Sequence, residues 1–352
     1  MAGAWRWMRV ASSVAIAACS VIGPAARAAP PPDVQQFLTG TIKLDAAQLA
    51  ALERGDVVSK VLDTKQQLNV VVFGAVVVNT PRDRIVQQAL DFSTSLRAPT
   101  RKQLGFFTTP ATSANVAKLS LTEHDVKDLK NCKPNDCKLK LPASAMQRAQ
   151  SEIKWSGGNV AAQVNALFRV MTVSYVNDYR TRGDAALVVY DNIGHVRASD
   201  AFSSLLGDSQ YQLPTQDAVI RYLKQYPAGR LDGVRESIYW CMDQLKGLKA
   251  VLSVNHALVY APPDQPGVTV IANKQIYADR YLEAMLDVTA LAERAPSGGK
   301  PGVYLLKLRR MRFDRLQSGG LLDIRGKVVK GMREQMVSDL QRLKATGEQS
   351  TH

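Results

Sequence analysis

The chain has 352 residues, enough for two domains or for one domain with an insertion, and its 46% apolar and 22% charged residues are an ordinary globular balance. This composition excludes a wholly disordered chain, a collagen and a coiled-coil rod, and four cysteines are too few for a disulfide-rich scaffold. The net charge of +14 is a strong basic excess that by itself names no reaction.

Residues 1–28 are predicted to be a signal peptide. Two arginines precede an uncharged apolar stretch over 10–23, and a small-x-small cleavage site ends at Ala28. The stretch is shorter than the roughly 20 residues that a membrane-spanning helix needs. A lipoprotein signal is the alternative, because the tetrapeptide ending at Cys19 resembles the lipobox and would place a lipid on that cysteine. Both interpretations predict an exported bacterial protein, either periplasmic or secreted, or held as an outer-membrane lipoprotein.

Residues 29–55 are predicted to form a Pro-rich spacer and a short helix that begins after Asp45. A Val-rich strand over 68–79 then leads into a second helix, because Thr80-Pro81 supplies an N-cap and a proline at the first helical position. These elements belong to a segment that we predict to extend over residues 56–141, as the first part of the main domain.

The cysteines agree with export. Cys132 and Cys137 flank a Pro-Asn-Asp turn, and a tight turn can bring two Cα atoms into the roughly 4.4–6.8 Å window that a disulfide needs. In an oxidising compartment this spacing predicts a disulfide. Cys241 lies in an apolar stretch and is predicted to be a free, buried thiol.

A segment over 142–247 is predicted to be a mostly helical insertion. Its strongest helix covers 159–180, where apolar residues recur at about the 3.6-residue period. The last of its helices is predicted over 236–246.

After the insertion, the apolar residues alternate with a period of two, which predicts strands. A long amphipathic helix over 322–344 follows, and residues 346–352 are predicted to be a frayed tail. The apolar face of that helix is formed by Ile324, Val328, Met332, Met336, Leu340 and Leu343.

Without the insertion, the order is a strand, a helix, short strands, longer strands and one long helix. This order rests on Val70–Val78 leading into Thr80-Pro81, on the strands over 249–312 and on the helix over 322–344. It resembles the helix-grip fold of the START and Bet v 1-like superfamily, which includes polyketide cyclases and lipid-transfer domains.

The resemblance covers about 56–141 and 248–345. It implies an α+β fold in which a curved antiparallel sheet grips a long C-terminal helix. It also implies a hydrophobic cavity between sheet and helix that binds lipids or other apolar molecules.

The sequence contains no hydrolase elbow, dinucleotide fingerprint, phosphate loop or zinc-protease motif. We therefore assign no catalytic residue, no metal ligand and no cofactor. His256 shares the apolar face of its strand with Leu258 and Tyr260. It is either a hydrogen-bonded core histidine or a polar group that orients an apolar ligand in a cavity.

Six residues are predicted to contact the ligand. Lys274, Tyr277, Arg280 and Tyr281 lie near one strand end and would form a polar mouth to the cavity, with an ordinary solvated face as the alternative. His256 and Tyr260 complete the set.

The basic charge is concentrated between 300 and 344, where basic residues outnumber acidic ones by twelve to four. Lys327, Lys330 and Arg333 are expected to lie away from the apolar face of the terminal helix and to meet an anionic membrane surface, to which each contributes about 1 kcal/mol. A soluble basic surface without a dedicated partner is the alternative. We expect no nucleic-acid partner for an exported protein.

These observations predict an exported protein that binds an apolar or amphipathic, lipid-like ligand, at or away from a membrane surface. One alternative is a cyclase- or hydrolase-type enzyme that uses His256 with a nearby carboxylate or tyrosine. The other is an envelope protein-interaction module that binds a partner through the insertion.

Overall fold

The computed structural model describes residues 32–208, 210–213, 215–244, 248–297, 300–316 and 324–349. The strands in these ranges are β1 (Val58–Leu62), β2 (Asn69–Val78), β3 (Arg101–Phe106), β4 (Val189–Tyr190), β5 (Val196–Arg197), β6 (Arg235–Asp243), β7 (Val251–Tyr260), β8 (Val268–Ala278), β9 (Leu282–Ser297) and β10 (Lys300–Phe313). The α-helices are α1 (Pro32–Gln36), α2 (Ala46–Glu53), α3 (Arg82–Leu90), α4 (Phe92–Ser95), α5 (Glu123–Leu129), α6 (Ala143–Glu152), α7 (Val160–Arg182), α8 (Ala198–Gly207), α9 (Gln216–Gln225) and α10 (Ile324–Glu348).

A large antiparallel sheet of eight strands organises the molecule, in the order β1-β2-β10-β9-β8-β7-β6-β3. Strands β6 to β10 follow one another along the chain and in space, so they form a meander. Strand β2 pairs with β10, which brings the first long strand against the last. The predicted α+β class, with an antiparallel sheet and a long C-terminal helix, is confirmed.

Helix α10 packs on one face of the sheet, over β1, β2 and β10. Gly74 makes room for it, because a Cβ atom at that position would lie 2.6 Å from side-chain atoms of Met336 and Leu340. Met332, Met336 and Leu340 are buried as predicted, whereas Ile324 at the start of the helix is 41% exposed. The helix continues to Glu348, beyond the predicted start of a tail, because buried Gly347 still packs near Val78.

The opposite face of the sheet is covered by the N-terminal segment and by α8 and α9. Phe37, Leu38 and Ile42 are buried there, and the ring of Phe37 lies 5.9 Å from that of Phe73 in β2. The predicted spacer is therefore in part a structural layer of the core. Helix α2 begins at the predicted cap, where the Asp45 side chain accepts a hydrogen bond from the backbone N–H of Gln48.

One predicted helix is wrong. The sequence predicts a helix over 236–246, but Arg235–Asp243 form β6 between β7 and β3. The residues from Ile238 to Met242 are all buried, and a run that is apolar on both sides suits a strand covered on both faces. The helices of the predicted insertion thus end at α9.

The predicted disulfide between Cys132 and Cys137 is confirmed by their 2.00 Å sulfur separation, and Cys241 is free and buried. The disulfide loop is tied to the β4–β5 turn, where the backbone N–H of Asn135 donates to the Asp191 carbonyl at 2.7 Å.

The predicted signal peptide and Cys19 lie outside the described residues. In the part of the chain that the structure describes, no helix combines the length and apolarity needed to cross a membrane.

Candidate functional site

A cavity of about 230 Å³ opens between α6, α7 and the face of the sheet opposite α10. Its volume is somewhat below the roughly 300–1,000 Å³ of sites for drug-sized molecules, which suits a smaller ligand. Its lining is mainly apolar and consists of Leu141, Pro142, Ser144, Ala145, Arg148, Phe168, Met171, Thr172, Ser174, Tyr175, Asp178, Val188, Val254 and Tyr277.

Three of the hydroxyl groups that line this cavity already have hydrogen-bond partners within the protein. The Tyr277 hydroxyl donates to the Lys140 carbonyl at 3.2 Å, the Thr172 hydroxyl donates to the Phe168 carbonyl at 2.7 Å, and the Tyr175 hydroxyl donates to the Ile276 carbonyl. Burial raises the pKa of both tyrosines well above the ordinary value, so they stay neutral. The interior therefore presents apolar surface to a ligand.

Tyr277 is the predicted ligand residue that lines this cavity, while His256 and Lys274 lie elsewhere on the same face. Cross-strand partners point to the same side of a sheet, and neighbours along a strand point to opposite sides. Gly74 faces α10, and the residues in register with it lie on the same face of the sheet: Lys307, Thr289, Ile271 and Val259. His256, Tyr260 and Lys274 are an odd number of residues from Val259 or Ile271. They therefore lie on the opposite face and do not line the space between the sheet and α10, where the sequence predicts them.

His256 is completely buried, and both its ring nitrogens have partners. The Tyr179 hydroxyl lies 3.1 Å from Nδ1, and Oε2 of Glu236 lies 3.0 Å from Nε2. Because a carboxylate only accepts, Nε2 donates to Glu236, and the Tyr179 hydroxyl is the hydrogen-bond partner of Nδ1. The first of the two interpretations of His256, a hydrogen-bonded core residue, fits this geometry.

Glu236 is the member of this network that reaches solvent, with its side chain 33% exposed. Burial alone would raise the pKa of Glu236, but hydrogen bonds from His256 and Tyr222 outweigh it, so the pKa is lowered. The Tyr222 hydroxyl donates to the same oxygen, Oε2, at 2.6 Å. Tyr222 and Tyr260 line a neighbouring cleft of about 310 Å³.

Lys274 is buried and joins the sheet to the helical layer. Its ammonium group is paired with Asp184 and donates to the Leu223 carbonyl at 3.0 Å. It also lies 4.2 Å from the centre of the Phe202 ring. Burial lowers the pKa of Lys274, against the opposing effect of Asp184. These contacts describe a structural ion pair in the core.

Arg280 and Tyr281 lie at the turn between β8 and β9, away from the cavity. Arg280 is buried and paired with Asp125 and Asp128 of α5, the latter at 2.9 Å. The Tyr281 hydroxyl accepts from the backbone N–H of Lys249 at 3.2 Å. The six predicted ligand residues are thus not brought to one site, and their roles as ligand contacts stay predictions.

The sheet–α10 interface contains charged and polar side chains. Arg309 of β10 pairs with Asp287 of β9 at 2.8 Å and with Asp339 of α10 at 3.2 Å. Farther along this face, the buried side-chain oxygens of Asn255 and Asn273 have no protein hydrogen-bond partner. Ordered water normally satisfies such atoms.

Lys327, Lys330 and Arg333 are exposed, and none of them forms an ion pair with another described residue. Within the described ranges, no group of three or more His, Cys, Asp or Glu side chains could hold a metal ion.

The sequence interpretation missed Glu236, Tyr179 and Tyr222, which surround His256. It assigned Glu236 to a helix, so the two-residue alternation that places its carboxylate beside His256 was not visible. It also did not anticipate the cavity against α6 and α7, because its walls come from parts of the chain that are far apart in the sequence.

No family model matches the chain, and no curated protein matches it. Among solved structures, it is similar to the crystal structure of the Zhui aromatase/cyclase from Streptomyces sp. R1128, at 12% sequence identity and a TM-score of 0.21. The match covers 41% of this chain and 82% of that one. A TM-score this low carries no argument about function. Of the features that the superfamily resemblance implies, the structure shows the antiparallel sheet and the long C-terminal helix.

Proposed function

We propose that this protein binds a small apolar or amphipathic molecule in the cavity between α6, α7 and the sheet. The supporting observation is a 230 Å³ space in which the hydroxyls of Thr172, Tyr175 and Tyr277 are each bonded to a backbone carbonyl. An apolar ligand part that enters this space loses contact with water without leaving a buried polar group unpaired.

Two further parts of the proposal come from the sequence. The protein is exported, on the strength of its predicted signal peptide, and its exposed cations on α10 attract it to anionic membranes. The helix carries Lys327, Lys330 and Arg333 on the side directed to solvent, where a membrane surface could approach them.

Fluorescence of the neutral probe N-phenyl-1-naphthylamine tests the binding site, because the probe becomes bright in an apolar environment. Ala145 lines the cavity and is buried, so Ala145→Leu should fill it and weaken probe binding at least tenfold. Ala143→Leu is the matched control on the same helix, since Ala143 does not line the cavity. Equal probe binding by both variants and by the wild type would reject the proposed site.

A further inference from the structure

The mouth of the α6–α7 cavity has a paired arrangement of side chains. Helix α6 contributes Ser144 and, one turn later, Arg148, while α7 contributes Ser174 and, one turn later, Asp178. Residues four apart lie on the same face of a helix, so each helix presents one hydroxyl and one charge to the opening.

Both charges at the mouth already have a counter-charge on their own helix. Nε of Arg148 donates to Glu152 at 2.6 Å and its Nη2 donates to the same carboxylate at 3.1 Å. Asp178 is paired with Arg182 at 3.4 Å. The two pairs cancel, so the opening has no net charge from these four residues.

The serines differ from these charged groups because their hydroxyls form no hydrogen bond with a described residue. Both serines are exposed at the cavity opening. Each hydroxyl can donate one hydrogen bond and accept others. A ligand hydroxyl, carbonyl or amide can therefore be satisfied at the mouth, whereas an ionic head would lose hydration and gain no free counter-charge.

We infer that the ligand of this cavity has an apolar body and an uncharged polar end, such as an alcohol, a ketone or an amide, and that Ser144 and Ser174 bind that end. The inference rests on the proposed function, since it describes the ligand of the same cavity. It distinguishes this site from one built for fatty acids or for long-chain amines.

Displacement of N-phenyl-1-naphthylamine from the full chain by 1-octanol, octanoate and octylammonium at pH 7 tests the inference. These molecules share a chain length and differ in the charge of the polar end. We expect octanol to displace the probe at a concentration at least tenfold lower than either ion does. Octanoate or octylammonium acting at the same or a lower concentration than octanol would overturn the inference and leave the proposed function standing. A probe that does not bind at all would instead reject the proposed function.

Charge variants give a second, independent measurement. Asp178→Asn leaves Arg182 without its partner. The concentration of octanoate that displaces the probe should therefore fall several-fold relative to the concentration of octanol that does so. Arg148→Gln leaves Glu152 without its partner. The concentration of octylammonium that displaces the probe should therefore fall relative to the concentration of octanol that does so. Both variants change exposed side chains, which favours correct folding. If neither ratio changes, Arg148 and Asp178 do not set the charge preference and the inference is wrong.

Discussion

Nε2 of the buried His256 lies 3.0 Å from Oε2 of Glu236, so an imidazole without solvent contact is joined to a carboxylate that reaches solvent. The two residues are on neighbouring strands, β7 and β6. Tyr222 of α9 and Tyr179 of α7 complete the network, which therefore connects the sheet to two helices that cover it.

Glu236→Gln should lower the free energy of unfolding by about 1–2 kcal/mol at pH 7, because a neutral amide accepts weaker hydrogen bonds than a carboxylate. The folded-state pKa of Glu236 is lowered, so its stabilising contribution is present above the unfolded pKa of about 4.5 and is lost as the pH falls. Urea unfolding at pH 7 and at pH 4 measures both effects. Glu334→Gln is the control, since Glu334 is exposed on α10, and an equal loss in both variants would contradict the prediction.

Asp287→Asn should cost about 3–5 kcal/mol at neutral pH, because it leaves Arg309 and Lys307 without a buried carboxylate between them. Burial would raise the pKa of Asp287, but these two cations outweigh it and hold the pKa well below the ordinary value. The loss should therefore shrink as the pH falls below about 4, where the unfolded carboxyl becomes protonated. Asp339→Asn, which removes only the Arg309 contact on α10, should cost less in the same urea titrations.

Asp279→Asn should show the opposite dependence on pH. Burial raises the pKa of Asp279 well above the ordinary value, and the nearby Asp125 adds to this effect. The wild-type carboxyl therefore favours folding most below its unfolded pKa of about 3.8, and this advantage is lost as the pH rises. Between pH 4 and pH 8, the melting temperature of Asp279→Asn should rise relative to that of the wild type as the pH rises. A difference that stays constant would contradict the assignment.

Removing the disulfide should cost about 2 kcal/mol, because so short a loop restricts the unfolded chain only a little. The double variant Cys132→Ser and Cys137→Ser should therefore fold, with a small decrease in the urea midpoint. Mass mapping without reductant should find Cys241 as a free thiol in the wild type, and a mixed linkage that includes Cys241 would refute the pairing.

Replacing Lys327, Lys330 and Arg333 by Gln should weaken binding to vesicles that contain an anionic lipid, up to about 100-fold at low salt, since each cation near such a surface contributes about 1 kcal/mol. The melting temperature should hardly change, because all three side chains are exposed. Gln substitutions at Lys118, Lys127 and Lys130, which are also exposed, form a control of equal charge. Unchanged vesicle binding, or equal loss in both triple variants, would reject the membrane surface on α10.

Local patterns in the sequence were sufficient for several elements. The Asp45 cap, the Val-rich β2 and the apolar face of α10 were predicted because capping, β-branched runs and the 3.6-residue period act between near neighbours in the chain. The disulfide was predictable for the same reason, since its two cysteines are joined by one turn.

The α+β class, the long C-terminal helix and the pairing of Cys132 with Cys137 could all be predicted from the amino-acid sequence. The face of the sheet that each strand residue occupies could not be predicted, because it depends on strand registers between residues far apart in the chain. In the folded structure, His256 and Lys274 lie on the face of the sheet away from α10. Residues Arg235–Asp243 form strand β6 because both faces of this segment are buried. The cavity could not be predicted for a similar reason, because α6, α7 and β8 meet only after the sheet has formed. Burial of their shared apolar surface determines where they meet.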